Sequence, residues 1–160
     1  MALEKQPGKA YFIGIGGIGI SALAQYYLEK GWAVSGSDLC ESEITNFLEK
    51  RGIKVFIGEQ EAGHIPKDVD LAIYSPAVRN GNPELKKCLE MQAKSGRPRV
   101  LSYPQALGNL TKKHFTIAVS GTHGKSTTAS MLALIMARAG LDPTVIIGTK
   151  LKEFGNSNFR

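Results

Sequence analysis

The sequence predicts an α/β chain: a parallel sheet covered by helices, followed by the beginning of a second unit of the same kind. Strand-length apolar runs alternate with helical stretches, and that order builds parallel sheets because each crossover carries a helix. Two glycine-rich loops each follow such a run and precede a helix. The alternation pauses at Lys112–His114 and then restarts.

Each element follows from local pattern. Ala10–Ile15 is a continuous apolar run, as expected of a strand buried on both faces. From Ile18 to Lys30, residues Ile20, Leu23, Ala24, Tyr27 and Leu28 share one helical face, and Gly31 stops the helix. Trp32–Ser35 reads as a second strand. Ser42 can cap a helix carrying Ile44, Phe47 and Leu48 that ends at Gly52. Lys54–Ile57 and Asp70–Ser75 are the third and fourth strands. Asn82 caps the next helix, with Pro83 at the first position, where a missing N–H costs nothing. Leu85, Cys88 and Leu89 form its apolar face, and it ends near Gly96. Arg99–Leu101 is a short fifth strand and Pro104–Leu110 a short helix.

The restart begins with Phe115–Val119, expected to be a new strand. A helix from about Lys125 to Ala139 follows, closed by Gly140, and Thr144–Ile147 reads as one more strand. The boundary falls near Thr111–His114, with residues 1–112 as the first domain and 113–160 as the opening of the second. Two strands and one helix are too few to bury a core alone. Phe115, Ile117, Val145 and Ile147 are therefore expected to lack the strands that would cover them.

Composition narrows the function. The apolar fraction is 42% and the charged fraction 21%, ordinary for a soluble chain. No apolar run approaches the ~18–20 residues of a membrane span, and Met1–Lys9 has no apolar core of a signal peptide, so a cytoplasmic protein without membrane contact is expected. Cys40 and Cys88 match neither a zinc nor a CxxC spacing and read as free thiols. The net charge of +6 suits anionic ligands. The basic residues are scattered without interleaved aromatics, so nucleic acid is not an expected partner.

The first loop, Gly14-Ile15-Gly16-Gly17-Ile18-Gly19, is a G-x-G-x-x-G between strand and helix, the Rossmann-like arrangement. Gly14 allows the tight turn, Gly16 lets backbone approach a phosphate, and Gly19 lets helix and strand pack closely. A pyrophosphate would sit on the helix N-terminus, where free N–H groups and the dipole favour anions. Asp38 follows the second strand at about the 20-residue offset of a ribose-binding or base-binding carboxylate. The alternative is a strand–helix turn that binds nothing.

The second loop, Ser120-Gly121-Thr122-His123-Gly124-Lys125-Ser126-Thr127, resembles a P-loop. It departs from G-x-x-x-x-G-K-[ST] by having Val119 where the first glycine belongs. The mechanics survive: backbone N–H groups wrap phosphates, Lys125 reaches the β and γ oxygens, and Ser126 can ligate Mg²⁺. His123 reads either as a phosphate contact or as an exposed loop histidine. Two such loops imply two nucleotides. A dehydrogenase has no use for the second, and a simple NTPase has none for the first.

These segments, with Ile20-Ser21, Ser35-Gly36-Ser37-Asp38 and Tyr74-Ser75-Pro76-Ala77-Val78, occur in this order and at similar spacing in Mur ligases. The resemblance runs from about Lys9 to Phe154. It implies a first domain that binds a uridine diphosphate sugar rather than NAD. Gly16, Gly17, Ile18 and Gly19 would meet the pyrophosphate, with Gly14 in the same UDP-sugar-binding set and Asp38 and the Ser75-Pro76-Ala77 turn around the uridine. It implies a central domain that binds ATP through Gly121, Thr122, His123, Gly124, Lys125, Ser126 and Thr127, with Lys125 and Ser126 catalytic and Ser126 on the metal. A third domain would hold the amino acid. The chain stops at Arg160, before the acidic segment that would hold a second Mg²⁺, so an N-terminal fragment without activity of its own is expected.

The implied chemistry joins L-alanine to UDP-N-acetylmuramic acid in peptidoglycan synthesis, with ATP and Mg²⁺, through an acyl phosphate. A murein-recycling tripeptide ligase shares several of the motifs. A nicotinamide-dependent oxidoreductase and a non-catalytic nucleotide-binding module are the readings from other classes.

Overall fold

The computed structural model describes residues 7–160. Five strands form one parallel sheet: β1 Lys9–Ile13, β2 Ala33–Asp38, β3 Lys54–Ile57, β4 Leu71–Tyr74 and β5 Arg99–Ser102. Their order is β3-β2-β1-β4-β5. Strand order therefore reverses beside β1, and in such sheets ligands bind outside the strand C-termini at that switch point. The helices are α1 Ile18–Glu29, α2 Glu43–Lys50, α3 Pro83–Ser95, α4 Tyr103–Thr111 and α5 Lys125–Arg138. A separate antiparallel pair, β6 Ile146–Leu151 and β7 Ser157–Phe159, follows α5.

The sheet is covered on both faces. Ala10 and Phe12 point into a core with Leu23, Leu48 and Ile73, while Tyr11 and Ile13 point into another with Ala72, Leu85 and Cys88. Alternate side chains of a strand lie on opposite faces, so β1 is buried on both from Ala10 to Ile13. β1 stops at Ile13, short of the expected Ile15, because Gly14 turns away with φ +78°. β2 extends past the expected Ser35 to Asp38, since Ser35, Gly36 and Ser37 pair with Tyr11, Phe12 and Ile13. Gly36 allows that approach: a Cβ there would stand 2.4 Å from the Phe12 carbonyl oxygen.

Four other expectations are corrected. Phe115–Val119 is not a strand; Phe115 is 97% exposed and Ile117 52%. A strand needs a neighbour for its N–H and C=O groups, and no described strand runs beside this segment. Val145 and Ile147 are buried, in a small core with Ala133 of α5 and the flanking Leu151 and Phe154. The last expected strand starts at Ile146 and runs to Leu151, and its partner β7 was concealed by the polar Ser157 and Asn158. Leu89 points outward, unlike its neighbours Leu85 and Cys88.

The hairpin docks on α1 through buried polar groups. Gln25, fully buried, donates to Asn158 Oδ1 at 2.9 Å and accepts from Ser157 Oγ at 2.9 Å and from Arg51 at 3.1 Å. The Asn158 amide donates to Ser21 Oγ at 3.0 Å and to the Ile18 carbonyl. Lys150 pairs with Glu43 at 2.7 Å on the surface.

Gly36→Ala forces a methyl into a backbone oxygen and should lower unfolding free energy in urea by about 3 kcal/mol, the upper end of an overpacking penalty. Burial pushes the Cys88 thiol up to about 12, and the Glu84 carboxylate adds to it. At pH 8 a thiol reagent should label exposed Cys40 and spare Cys88 until the chain unfolds. Because the folded thiol holds its proton beyond the ordinary 9.0, its contribution to stability is complete below about pH 9 and is lost as pH rises through about 12. Alkaline titration followed by circular dichroism checks this.

Candidate functional site

The first loop is held from behind by the end of β2. Gly14 and Ile15 donate their N–H groups to the Ser37 carbonyl at 2.8 and 3.0 Å. Gly16 donates to Asp38 Oδ2 at 2.7 Å, and Gly17 donates back to the Gly14 carbonyl at 3.3 Å. Asp38 Oδ1 accepts from Cys40 at 3.5 Å. The carboxylate expected to meet a ribose or base is thus already engaged with the loop. The Gly16 amide, expected near a phosphate, is engaged with Asp38. A Cβ on Gly16 would stand 2.8 Å from Asp38 Oδ2 and 3.1 Å from Thr45 Cγ2.

Gly19 is small for a different reason from the one expected. A Cβ there would meet the Tyr103 hydroxyl at 2.7 Å, so the close packing is against α4 rather than a strand. On the far side of the loop, Ser75 follows β4 and donates its N–H to the Ile13 carbonyl at 2.9 Å. Val78 closes the Ser75-Pro76-Ala77 turn onto the Ser75 carbonyl at 2.9 Å, and Ala77 donates to Ser75 Oγ at 3.3 Å. The Ser75 Cβ would lie 3.0 Å from a Cβ on Gly14. Gly14, Gly16, Gly17, Ile18, Gly19, Asp38 and Ser75–Ala77 therefore gather at one place, at the C-terminal edge of β1, β2 and β4.

The second loop leads into α5. Gly121 has φ +150° and Gly124, at the helix N-cap, φ +75°. Gly121, Thr122, His123, Gly124, Lys125 and Thr127 are exposed, and Ser126 is half-buried. Lys125 Nζ folds back over the loop and donates to the Gly121 and Thr122 carbonyls at 2.6 and 3.1 Å. Ser126 Oγ faces β6, 3.2 Å from where a Gly148 Cβ would be.

How the helices begin separates these two loops from the rest of the chain. α2, α3 and α4 close their N-termini with their own side chains: Ser42 accepts from Thr45, Asn82 from Leu85 and Ser102 from Gln105. α1 and α5 have Gly17 and Gly124 at the cap and no side-chain cap bond. The first N–H groups of a helix have no partner within it. At α1 and α5 they are left facing the glycine loops, with the positive end of the helix dipole behind them.

Sequence reasoning missed a buried polar cluster under the first loop. Glu84, fully buried, accepts from the Tyr11 hydroxyl at 2.9 Å and from Ser37 Oγ at 2.5 Å, with His64 Nδ1 at 3.0 Å. Gln60 donates to Ser37 Oγ at 2.9 Å. Burial, and then the Glu84 charge, push the Tyr11 hydroxyl far above its ordinary range. A glutamate in the first turn after Asn82-Pro83 looks like an ordinary dipole partner, and nothing in its spacing marks it as interior. Among the described residues no three of His, Cys, Asp and Glu gather as a metal-binding set.

The fold is shared with known proteins. A model of the Mur ligase family, catalytic domain, matches residues 9–115. The UDP-N-acetylmuramate–L-alanine ligase of Acetivibrio thermocellus is 49% identical over 148 residues, covering 92% of this chain and 30% of its own length. That of Aquifex aeolicus is 44% identical over 97% of this chain and 33% of its own. The chain thus spans about a third of the length of these curated relatives. Among solved structures, UDP-N-acetylmuramate-alanine ligase from Thermotoga maritima has a TM-score of 0.83 at 33% identity, over 95% of this chain and 34% of that one. The UDP-N-acetylmuramate:L-alanyl-gamma-D-glutamyl-meso-diaminopimelate ligase from Neisseria meningitides has a TM-score of 0.79 at 34% identity, over 94% and 46%. With the family model spanning all five parallel strands and solved relatives sharing the fold, this chain belongs to the Mur ligase family.

Proposed function

We propose that this chain supplies the sugar-nucleotide site and the ATP loop of an enzyme that joins L-alanine to UDP-N-acetylmuramic acid. The observation that carries the reading is the pair of uncapped helices, α1 and α5, each behind a glycine loop, on a Mur ligase fold. Each presents unpartnered N–H groups to an anion. Two separate anion cradles suit a reaction between two nucleotides, and neither a dehydrogenase nor a simple NTPase needs both.

In this reading residues 1–112 form the sugar-nucleotide domain and residues 113–160 carry the ATP loop of the next. The pyrophosphate lies over the first turn of α1, at Gly17, Ile18 and Gly19. Gly14 and Gly16 shape the turn beneath it, and Asp38 and Ser75–Ala77 flank the uridine. ATP lies over Gly121–Thr127, where Lys125 exchanges its loop carbonyls for phosphate oxygens. The Ser126 hydroxyl would hold Mg²⁺. A single hydroxyl fits that ion, which keeps several waters and takes its other ligands from phosphates. Mg²⁺ supplies charge neutralisation on the phosphates when bound.

The chemistry asks for that neutralisation. The sugar carboxylate attacks the γ-phosphorus to give an acyl phosphate and ADP, and the amine of L-alanine then displaces phosphate from the acyl carbon. Lys125 and the first-turn N–H groups of α5 lower the cost of bringing a carboxylate to an anionic nucleotide. ATP and both substrates are cytoplasmic metabolites, and no described helix is long and apolar enough to cross a membrane. The likeness to the Neisseria ligase favours a second reading with the same sugar nucleotide and a peptide in place of L-alanine.

Thermal shift tests the first cradle. UDP-N-acetylmuramate at ~100 times its dissociation constant should add about 2.7 kcal/mol, and NAD should add nothing; the reverse order would make the chain a dinucleotide binder. Lys125→Ala should remove stabilisation by Mg-ATP and leave that by the sugar nucleotide untouched. Asp38→Ala releases the Gly16 N–H and should weaken UDP binding by about 1–2 kcal/mol, the usual worth of a hydrogen bond to a charged group, read by calorimetry.

A further inference from the structure

Glu84 raises a physical question. It is fully buried, with His64 Nδ1 3.0 Å from its carboxylate. A buried carboxylate is costly unless its lone pairs meet donors in good geometry. Here two donors come from the strands, Tyr11 on β1 and Ser37 on β2, and His64 Nδ1 of the 3₁₀ turn Ala62–His64, which accepts from the Glu61 N–H, lies 3.0 Å from the carboxylate. Gln60 extends the cluster, donating to Ser37 Oγ and accepting from the amide of Asn82, the N-cap of α3. The first turn of α3 adds its dipole to the charge.

The cluster meets the first loop at one residue. Ser37 gives its hydroxyl to Glu84, and its own carbonyl receives the Gly14 and Ile15 N–H groups. The next residue, Asp38, receives the Gly16 N–H. Hence each of the three leading N–H groups of the loop is held by the two residues at the end of β2. We infer that Glu84 is a positioning residue for this loop: through Ser37 it fixes the end of β2, and so the loop's place over α1. Fully buried, it acts through Ser37. The consequence for UDP affinity rests on the proposed sugar-nucleotide site, whereas the consequence for the loop itself does not.

Glu84→Gln keeps the shape and removes the charge, and Ser37→Ala removes the link alone. Hydrogen exchange on the ligand-free chain should show the Gly14, Ile15 and Gly16 amides opening roughly tenfold faster in each variant, with the Ile53 amide of the α2–β3 turn unchanged. UDP titration at a temperature where both variants are folded should show a dissociation constant raised roughly tenfold. A lower melting temperature with unchanged loop exchange and unchanged UDP affinity overturns the inference. So does loss of protection spread equally to Ile53, which would make Glu84 a support of the whole fold. Should Glu84→Gln fail to fold, Ser37→Ala decides on the same readouts. If the unaltered chain does not bind UDP, the sugar-nucleotide reading fails, and the exchange comparison still decides the positioning role.

Discussion

The Ser37 carbonyl is the contact on which the site depends. A parallel strand that ends and turns into a helix leaves its next N–H groups without a ladder partner, and burial makes that expensive. β2 solves this for β1 through Ser37, the last residue paired with it, whose carbonyl accepts from both the Gly14 and Ile15 N–H groups. The turn is then free to take the positive φ of Gly14, and α1 can start directly behind it. Gly36 lets β2 come near enough to do so. Shape at the loop is therefore set one strand away from it.

Charge is arranged around the same contact. Two carboxylates, Asp38 and Glu84, lie near a loop proposed to receive a pyrophosphate, which looks unfavourable at first. Each is committed to donors: Asp38 to the Gly16 N–H, Glu84 to the Tyr11 and Ser37 hydroxyls. Satisfied in this way, they organise backbone dipoles instead of presenting free acceptors, and the uncapped first turn of α1 is left as the anion-receptive surface. The second loop is tied more loosely. Its lysine rests on its own carbonyls and its residues are largely exposed.

Most of the sheet was legible because its causes are local. Period and punctuation place α2, α3 and β3 well: Ser42, Asn82 and Gly96 are caps whose chemistry is written in the residue itself. The gathering of Gly14–Gly19, Asp38 and Ser75–Ala77 was legible too, since each stands just past a recognisable strand. What escaped depends on distant partners. β7 reads as polar because its serine and asparagine bury against Gln25. Phe115–Val119 has a strand's composition but no neighbour among the described strands to pair with. Glu84 is interior only because Tyr11 and Ser37, 73 and 47 residues away in the chain, bring hydroxyls to it.

The clasp between α1 and the hairpin has a consequence for the order in which the molecule assembles. Gln25 and Asn158 are separated by 133 residues, so their contact is among the most non-local in the chain, and such contacts form late. During synthesis the amino-terminal strands and helices leave the ribosome well before Asn158 is made. Until then the Gln25 amide and the Ser21 hydroxyl donate within α1, to the Ser21 and Ile18 carbonyls. Hydrogen bonds are directional, so the arriving hairpin has one seating that satisfies Gln25, Ser21 and Asn158 together. A greasy contact would tolerate several. The clasp acts as a late proofreading step on the chain's own topology: a hairpin docked one residue out of register would lose the bonds of Ser157 and Asn158 to Gln25 and Ser21 together.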